Sequence, residues 1–213
     1  MKTKMLYEKL KGTQTTESVM ALLDVKRQKA IYYIYRLRKK GYVRTKRQGN
    51  KRVYYVSFEN KLGGTSYLEI INKNSPLKIS GASLYKIYGK EPSYEETLIY
   101  AIKTRSLRTI LASLALFREI HDWSKLYNLA KKEGLQREVG ALYDLVRKIT
   151  RTRKMTKRFL HHSLPKKQDK YTYIIGKLSS KDFKYIEKKW KVYLPFNMAD
   201  LEDYKSDKQH DKY

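Results

Sequence analysis

The sequence contains no cysteine, which excludes disulfides and thiolate-held zinc outright. Proline is scarce, at 4 residues, while hydrophobic residues make up 41% and tyrosine alone contributes 20. Apolar material for a core is therefore present, and a disordered polycation is excluded. No stretch approaches ~18 consecutive apolar residues, so no membrane span is expected. The opening MKTKMLYEKLKG also lacks the apolar run of a signal peptide. The expectation is a soluble, cytoplasmic chain, its 213 residues enough for one large domain or two small ones.

Acid is the other shortage. There are 21 Asp+Glu against 48 Lys+Arg, a formal net charge of +27. Such an excess makes an acidic polymer the default partner. The charge is not spread evenly: residues 1–60 carry +12, 61–120 carry +4, 121–146 are neutral, 147–170 carry +9 and 171–213 carry +2. Two basic blocks flank a near-neutral middle, which is a pattern of surfaces and not a uniform coat.

Most catalytic signatures are missing too. No Walker lysine loop, G-x-G-x-x-G or G-x-S-x-G occurs. The histidines are His121, His161, His162 and His210, and the adjacent pair does not match the i, i+4 spacing of a helical zinc site. Glu95/Glu96 and Glu119/Asp122 are the carboxylates a metal-dependent nuclease would need. Helix capping accounts for Glu96 and Asp122 more simply, so the expectation is a non-enzyme with no cofactor and no metal.

What is present concentrates in residues 25–57, VKRQKAIYYIYRLRKKGYVRTKRQGNKRVYYVS. Ala30, Ile34, Leu37 and Gly41 fall at i, i+4, i+7 and i+11 and share one helical face. A turn of ~100° per residue puts Gln28, Tyr32, Arg36 and Lys39 on the opposite face, with Lys29 beside them. Lys26 and Arg27 crowd the N-terminal turn, where the helix dipole disfavours cations by ~0.3–1 kcal/mol each. A helix whose N-terminal turn meets phosphates and base edges needs that arrangement. Gly41 stops the helix. Two strand-like segments, 42–46 and 52–58, then flank Gly49-Asn50, residues that accept positive φ. Arg44, Lys46, Arg47, Lys51 and Arg52 line the resulting hairpin, and Gln48 sits beside its turn. Short helices over 4–11 and 16–23 precede this block, the second with Thr15 or Thr16 as N-cap and Glu17 in its first turn.

The segment ALLDVKRQKAIYYIYRLRKKGYVRTKRQGNKRVYYVS is similar to winged-helix regulators whose third helix closes in Leu-x-x-x-Gly-Tyr, here Leu37, Gly41 and Tyr42. Asp24 replaces the usual small residue of the turn, which leaves the turn geometry open. The plain alternative for the whole block is a solvated basic face on a protein-docking module.

Beyond Gly63-Gly64, read as a linker, 67–71 and 77–80 are strand candidates. Ser93 with Glu96 has capping-box spacing. The segment 107–117 is apolar nearly all round, and helices are expected over 123–133 and 135–149. The stretch EETLIYAIKTRSLRTILASLALFREIHDWSKLYNLAKKEGLQREVGALYDLV resembles the C-terminal half of AbiEi-type antitoxins. The matching residues are Glu96, Thr97, Leu98, Asp122, Trp123, Leu126, Ala130, Gly140 and Leu142. The resemblance implies a DNA-binding autorepressor whose partner is a nucleotidyltransferase-like toxin.

In the second basic block, Arg147, Arg151, Lys154 and Arg158 recur at helical spacing, so a helix would present them as one stripe. That stripe suits DNA, RNA or an acidic partner, or is simply a solvated face. Strands over 171–175 and 192–196 with a helix over 181–191 complete the ordered chain, and the polar tail from 199 is expected to be poorly ordered. The overall expectation is an α+β protein: a winged helix-turn-helix over 1–62, a mainly helical α+β domain over 65–198, and a tail over 199–213. Its expected partners are double-stranded operator DNA and a cognate toxin, with RNA through the 147–170 block as the alternative and no membrane.

Overall fold

The computed structural model describes residues 3–80 and 86–206. The chain is α+β and divides into two units. One comprises Met1–Ser66 with Ser83–Pro92, and the other Tyr67–Ala82 with Ser93–Tyr213.

The first unit opens with α1 (Thr3–Leu10), β1 (Gly12–Gln14), α2 (Thr16–Leu23) and α3 (Arg27–Lys39), followed by β2 (Val43–Gln48), β3 (Lys51–Val56) and the single turn α4 (Glu59–Leu62). The three strands form an antiparallel sheet in the order β1-β3-β2. The apolar faces of α1, α2 and α3 pack with the sheet: Leu6, Leu10, Val19, Ala30, Ile34, Leu37, Val43, Tyr54 and Val56 make one buried cluster. Gln48 pairs with Lys51, so the hairpin turn is the two residues Gly49-Asn50, with Gly49 at φ 55°. β1 has no strand-like pattern of its own. Gly12, Thr13 and Gln14 become a strand only by pairing with Val56, Tyr55 and Tyr54.

Two side chains brace this unit. Asn60 donates its amide to Tyr42 O at 3.0 Å and Tyr55 O at 2.7 Å, pinning the root of the hairpin. The Tyr88 ring lies against both Gly41 and Gly64, where any Cβ would collide with it. Thr65 pairs with Ile87 in the same region, so Gly63-Gly64 passes directly into paired backbone and the first unit extends to Ser66.

The second unit is mostly helical: α5 (Tyr67–Asn74), α6 (Tyr94–Lys103), α7 (Leu107–Ser113), a 3-10 turn at Leu114–Arg118, α8 (Trp123–Glu133), α9 (Gln136–Ile149), α10 (Lys157–Ser163), α11 (Lys184–Trp190) and α12 (Asp203–Ser206). β4 (Thr172–Tyr173) and β5 (Val192–Tyr193) form a short parallel pair. Leu98, Ile102, Ile110, Phe117, Leu126, Leu142, Val146 and Trp190 sit in a single core. Ser93 and Glu96 cap α6 reciprocally, and Asp122 caps α8 by accepting from Lys125 N–H at 2.8 Å. Among the described residues no helix is long and apolar enough to cross a membrane.

Three expectations are corrected. Residues 67–71 are helical and 77–80 are irregular, neither being a strand: Ile70 and Ile71 turn into the core while Tyr67 stacks on Tyr100 of α6, ring centroids 4.4 Å apart. No continuous helix presents Arg147, Arg151, Lys154 and Arg158. α9 ends at Ile149, Thr150 is extended, and α10 begins only at Lys157. The intervening coil is held by the Tyr143 hydroxyl, which donates to Arg153 O and accepts from Met155 N–H. Nor is the chain after 199 a loose tail as far as residue 206: Leu201 and Tyr204 are buried, and the Tyr204 hydroxyl reaches the carbonyls of Leu111 and Ala112 at 2.7 and 3.0 Å.

Candidate nucleic-acid interface

The way α3 begins sets up the site. Thr15 and Ser18 close a reciprocal capping box on α2, which fixes the direction of that helix. Asp24 then takes the left-handed conformation, φ 49° and ψ 57°, and its backbone N–H returns to Met20 O. Aspartate tolerates that region better than most side chains, which is how the turn closes without a small residue. Lys26 is the N-cap of α3 and makes no side-chain cap, and the first turn holds no acid. The orphan N–H groups and the positive end of the dipole are therefore left facing outward together with Arg27, Gln28 and Lys29, all exposed.

Along α3 the buried stripe is Ala30, Tyr33, Ile34 and Leu37. Opposite it lie Gln28, Ile31, Tyr32, Tyr35 and Lys39. Ile31, Tyr32 and Tyr35 are about half exposed, at 46%, 55% and 50%. The Arg36 guanidinium sits over the Tyr32 ring, 5.8 Å from its centroid. The outward face thus mixes a hydrogen-bonding amide, apolar surface and cations.

The hairpin supplies the other wall. Register places Arg47 directly opposite Arg52, a like-charge cross-strand pair that destabilises an isolated hairpin. Arg47, Asn50, Lys51 and Arg52 converge with Arg27, Ile31, Thr16, Glu17 and Tyr54 around an open cleft of about 430 Å³ between α3 and the hairpin tip. Strand alternation sends Arg44 and Lys46 to the other sheet face, where Arg44 donates to Gly63 O at 3.3 Å. The structure therefore joins Arg27, Arg47, Lys51 and Arg52 in one cleft, keeps Lys26, Gln28, Lys29, Tyr32 and Arg36 on the adjoining helix, and sets Arg44 and Lys46 apart.

Glu17 is the only acid among the described residues lining the cleft. Its oxygen lies 3.8 Å from Arg27 Nη1. Its own backbone N–H and the Thr15 hydroxyl, with Arg27 and Lys51 adding to them, hold its carboxyl below the ordinary glutamate range. The sequence-based expectation assigns Glu17 to the helix dipole and Thr16 to capping, and Ile31, Tyr35 and Tyr54 to no site. Ile31 and Tyr35 lie at i+3 and i+7 from Gln28 and Thr16 in the N-terminal turn of α2, whereas Tyr54 reaches the cleft only through the register of β3.

The second basic block is dispersed. Arg147 leans on the Tyr143 ring at 6.0 Å, Arg151 and Lys154 are exposed on the coil, and Arg158 belongs to α10. Among the described residues no three histidine, aspartate or glutamate side chains gather as a metal site. Comparison with protein-family models, curated proteins and solved structures finds no match. The two resemblances stated above therefore rest on the quoted residues alone.

Proposed function

We propose that the N-terminal unit is a winged helix-turn-helix that binds duplex DNA in a sequence-specific way, with α3 in the major groove and the β2–β3 hairpin as the wing. On this reading the protein is a transcriptional regulator of the AbiEi antitoxin type, in which the second unit neutralises a toxin. One observation carries the DNA reading: four cations, two of them paired like-to-like across the hairpin, surround a cleft beside an uncapped, acid-free helix N-terminus. Each of these features costs stability on its own and is relieved by a polyanion. Gln28 and the apolar Ile31 and Tyr32 are suited to base edges and thymine methyl groups.

The test is fluorescence anisotropy of a labelled duplex across a salt series, after selection of a preferred site from a random pool. If Arg27, Arg47, Lys51 and Arg52 each neutralise one phosphate, log K falls with log salt at a slope of about −3.6, or about 150-fold between ~50 and ~200 mM. Lys51→Ala should flatten the slope by about 0.9, and Gln28→Ala should erode base preference by about 1–3 kcal/mol. A slope shallower than about −1 sinks the model. The toxin-neutralising half is tested by co-purification and rescue with the product of the adjacent reading frame. Duplex that stays intact in magnesium while bound separates this reading from a nuclease.

A further inference from the structure

A second cleft, of about 400 Å³, lies wholly within the second unit between α8 and α10. It falls within the size range of small-molecule sites. Trp123, Tyr127 and Lys131 follow one another at i, i+4 and i+8 along α8, and Arg158 and His162 at i, i+4 along α10, with Phe159 at the cleft as well. The rings form a continuous wall. Phe159 meets Trp123 edge-on at 5.3 Å and Tyr127 edge-on at 5.8 Å, and His162 tilts against Tyr127 at 5.8 Å. Trp123 is 95% buried, and its indole N–H has no acceptor among the described residues.

Polarity is arranged around that wall in a particular way. Lys131, Arg158 and His162 are exposed at the cleft, Asn128 adds an amide, and no described lining residue is acidic. The nearest acid in sequence, Asp122, is committed to capping Lys125 N–H. Aromatic faces accept a planar ring, cations accept an anionic group a few ångströms away, and the amide can read a ring edge. Arg158, left without a role when the 147–158 stripe dissolves, belongs here together with His162.

We propose that the α8–α10 cleft binds a nucleoside 5′-phosphate, the base against Tyr127 and His162 and the phosphate between Lys131 and Arg158. The same chemistry is carried by a free mononucleotide and by the phosphorylated 5′ end of a nucleic-acid strand. The site is independent of α3 and of the duplex reading.

The experiment is isothermal titration of the full chain with AMP, adenosine, ribose 5-phosphate, inorganic phosphate and a 5′-phosphorylated tetranucleotide, at fixed ionic strength. Tryptophan emission is followed in parallel, because Trp123 walls the cleft whereas the other tryptophan, Trp190, is fully buried at α11. AMP should bind at least about tenfold tighter than ribose 5-phosphate, reflecting the stacked base, and should change the emission. Lys131→Gln and Arg158→Gln, both at exposed positions, should each weaken AMP binding about tenfold while leaving duplex binding and the melting temperature unchanged. A tetranucleotide that binds as tightly as AMP, and loses affinity in the same variants, identifies a strand end as the source; a tetranucleotide that binds much more weakly identifies the free nucleotide. Three results overturn the proposal: neither AMP nor the tetranucleotide binds at millimolar concentration, ribose 5-phosphate matches AMP, or both variants retain full affinity.

Discussion

Replacing Gly140 by alanine sets two opposing effects against each other in the middle of α9. On an exposed helix the change stabilises by about 1 kcal/mol, because alanine is the better helix former. Here the added Cβ would meet the Trp190 ring, lying 2.6 Å from Cζ2 and closer still to Cη2 and Cζ3. Trp190 is fully buried, and its indole N–H donates to Asp144 Oδ2 at 2.7 Å, the same oxygen that receives Lys189 Nζ at 2.6 Å. The ring therefore has no free direction. Overpacking costs about 1–3 kcal/mol, and turning the indole away from the carboxylate costs about 1.5–3 kcal/mol more. Set against the helix gain, Gly140→Ala should destabilise the second unit by about 1.5–5 kcal/mol, a fall in melting temperature of roughly 5–17 °C. Differential scanning calorimetry with tryptophan emission reads this directly. Adding Trp190→Leu should make the pair of changes less than additive, since the smaller side chain leaves room for the methyl group. A Gly140→Ala protein that melts at or above the wild type would show that the ring yields cheaply and that the close approach carries no constraint.

Other perturbations probe other joints. Asn60→Ala removes both amide bonds at the hairpin root and should cost about 1–3 kcal/mol in urea unfolding of the first unit. Truncation after Met198 deletes the buried Leu201 and Tyr204 and should cost about 3–5 kcal/mol; Tyr204→Phe, losing only the hydroxyl, should cost about 1–2 kcal/mol by the same thermal melt. Glu138 is 4% exposed, and burial raises its carboxyl above the ordinary glutamate range although its backbone hydrogen bond, Arg105 and Arg137 pull it down. Its stabilising contribution is full below about 4.5 and is lost as pH rises through the raised folded value. Glu138→Gln should therefore be the more stable form at pH 7, with the margin shrinking as pH falls toward 4.5; a margin that stays constant with pH would refute the assignment.

Local signals were legible and long-range ones were not. The helix α3, its glycine exit and the two-residue Gly49-Asn50 turn are each written within a few residues, as are the caps at Thr15, Ser93 and Asp122. β1 was invisible because Gly12-Thr13-Gln14 acquires strand geometry only from β3. Residues 67–71 carry tyrosine and isoleucine, which favour strands, but packing of Ile70 and Ile71 into the helical core overrides that preference. The helical spacing of Arg147 to Arg158 misled for a related reason: spacing marks a helix only where an apolar face accompanies it, and Thr150 to Thr156 offer none. Tyr204 gave no local sign, because its carbonyl partners lie more than ninety positions earlier. Of the interface, the cations were readable one by one. Which of them share a cleft depended on strand register for Arg47 and Arg52 and on a place at the hairpin tip for Lys51.

The hairpin is supported unevenly along its length. β1 reaches only Tyr54, and the Asn60 amide holds Tyr42 and Tyr55 below it. From Val53 outward the ribbon is two strands alone, and two-stranded ribbons twist and bend more readily than sheets. Mechanically it is a cantilever, rigid where it joins the body and compliant where it carries charge. Such an arm lets Arg47, Lys51 and Arg52 shift together with little elastic penalty for each adjustment. On the duplex reading proposed above, its compliance favours affinity over discrimination, and selectivity is left to the side chains of α3.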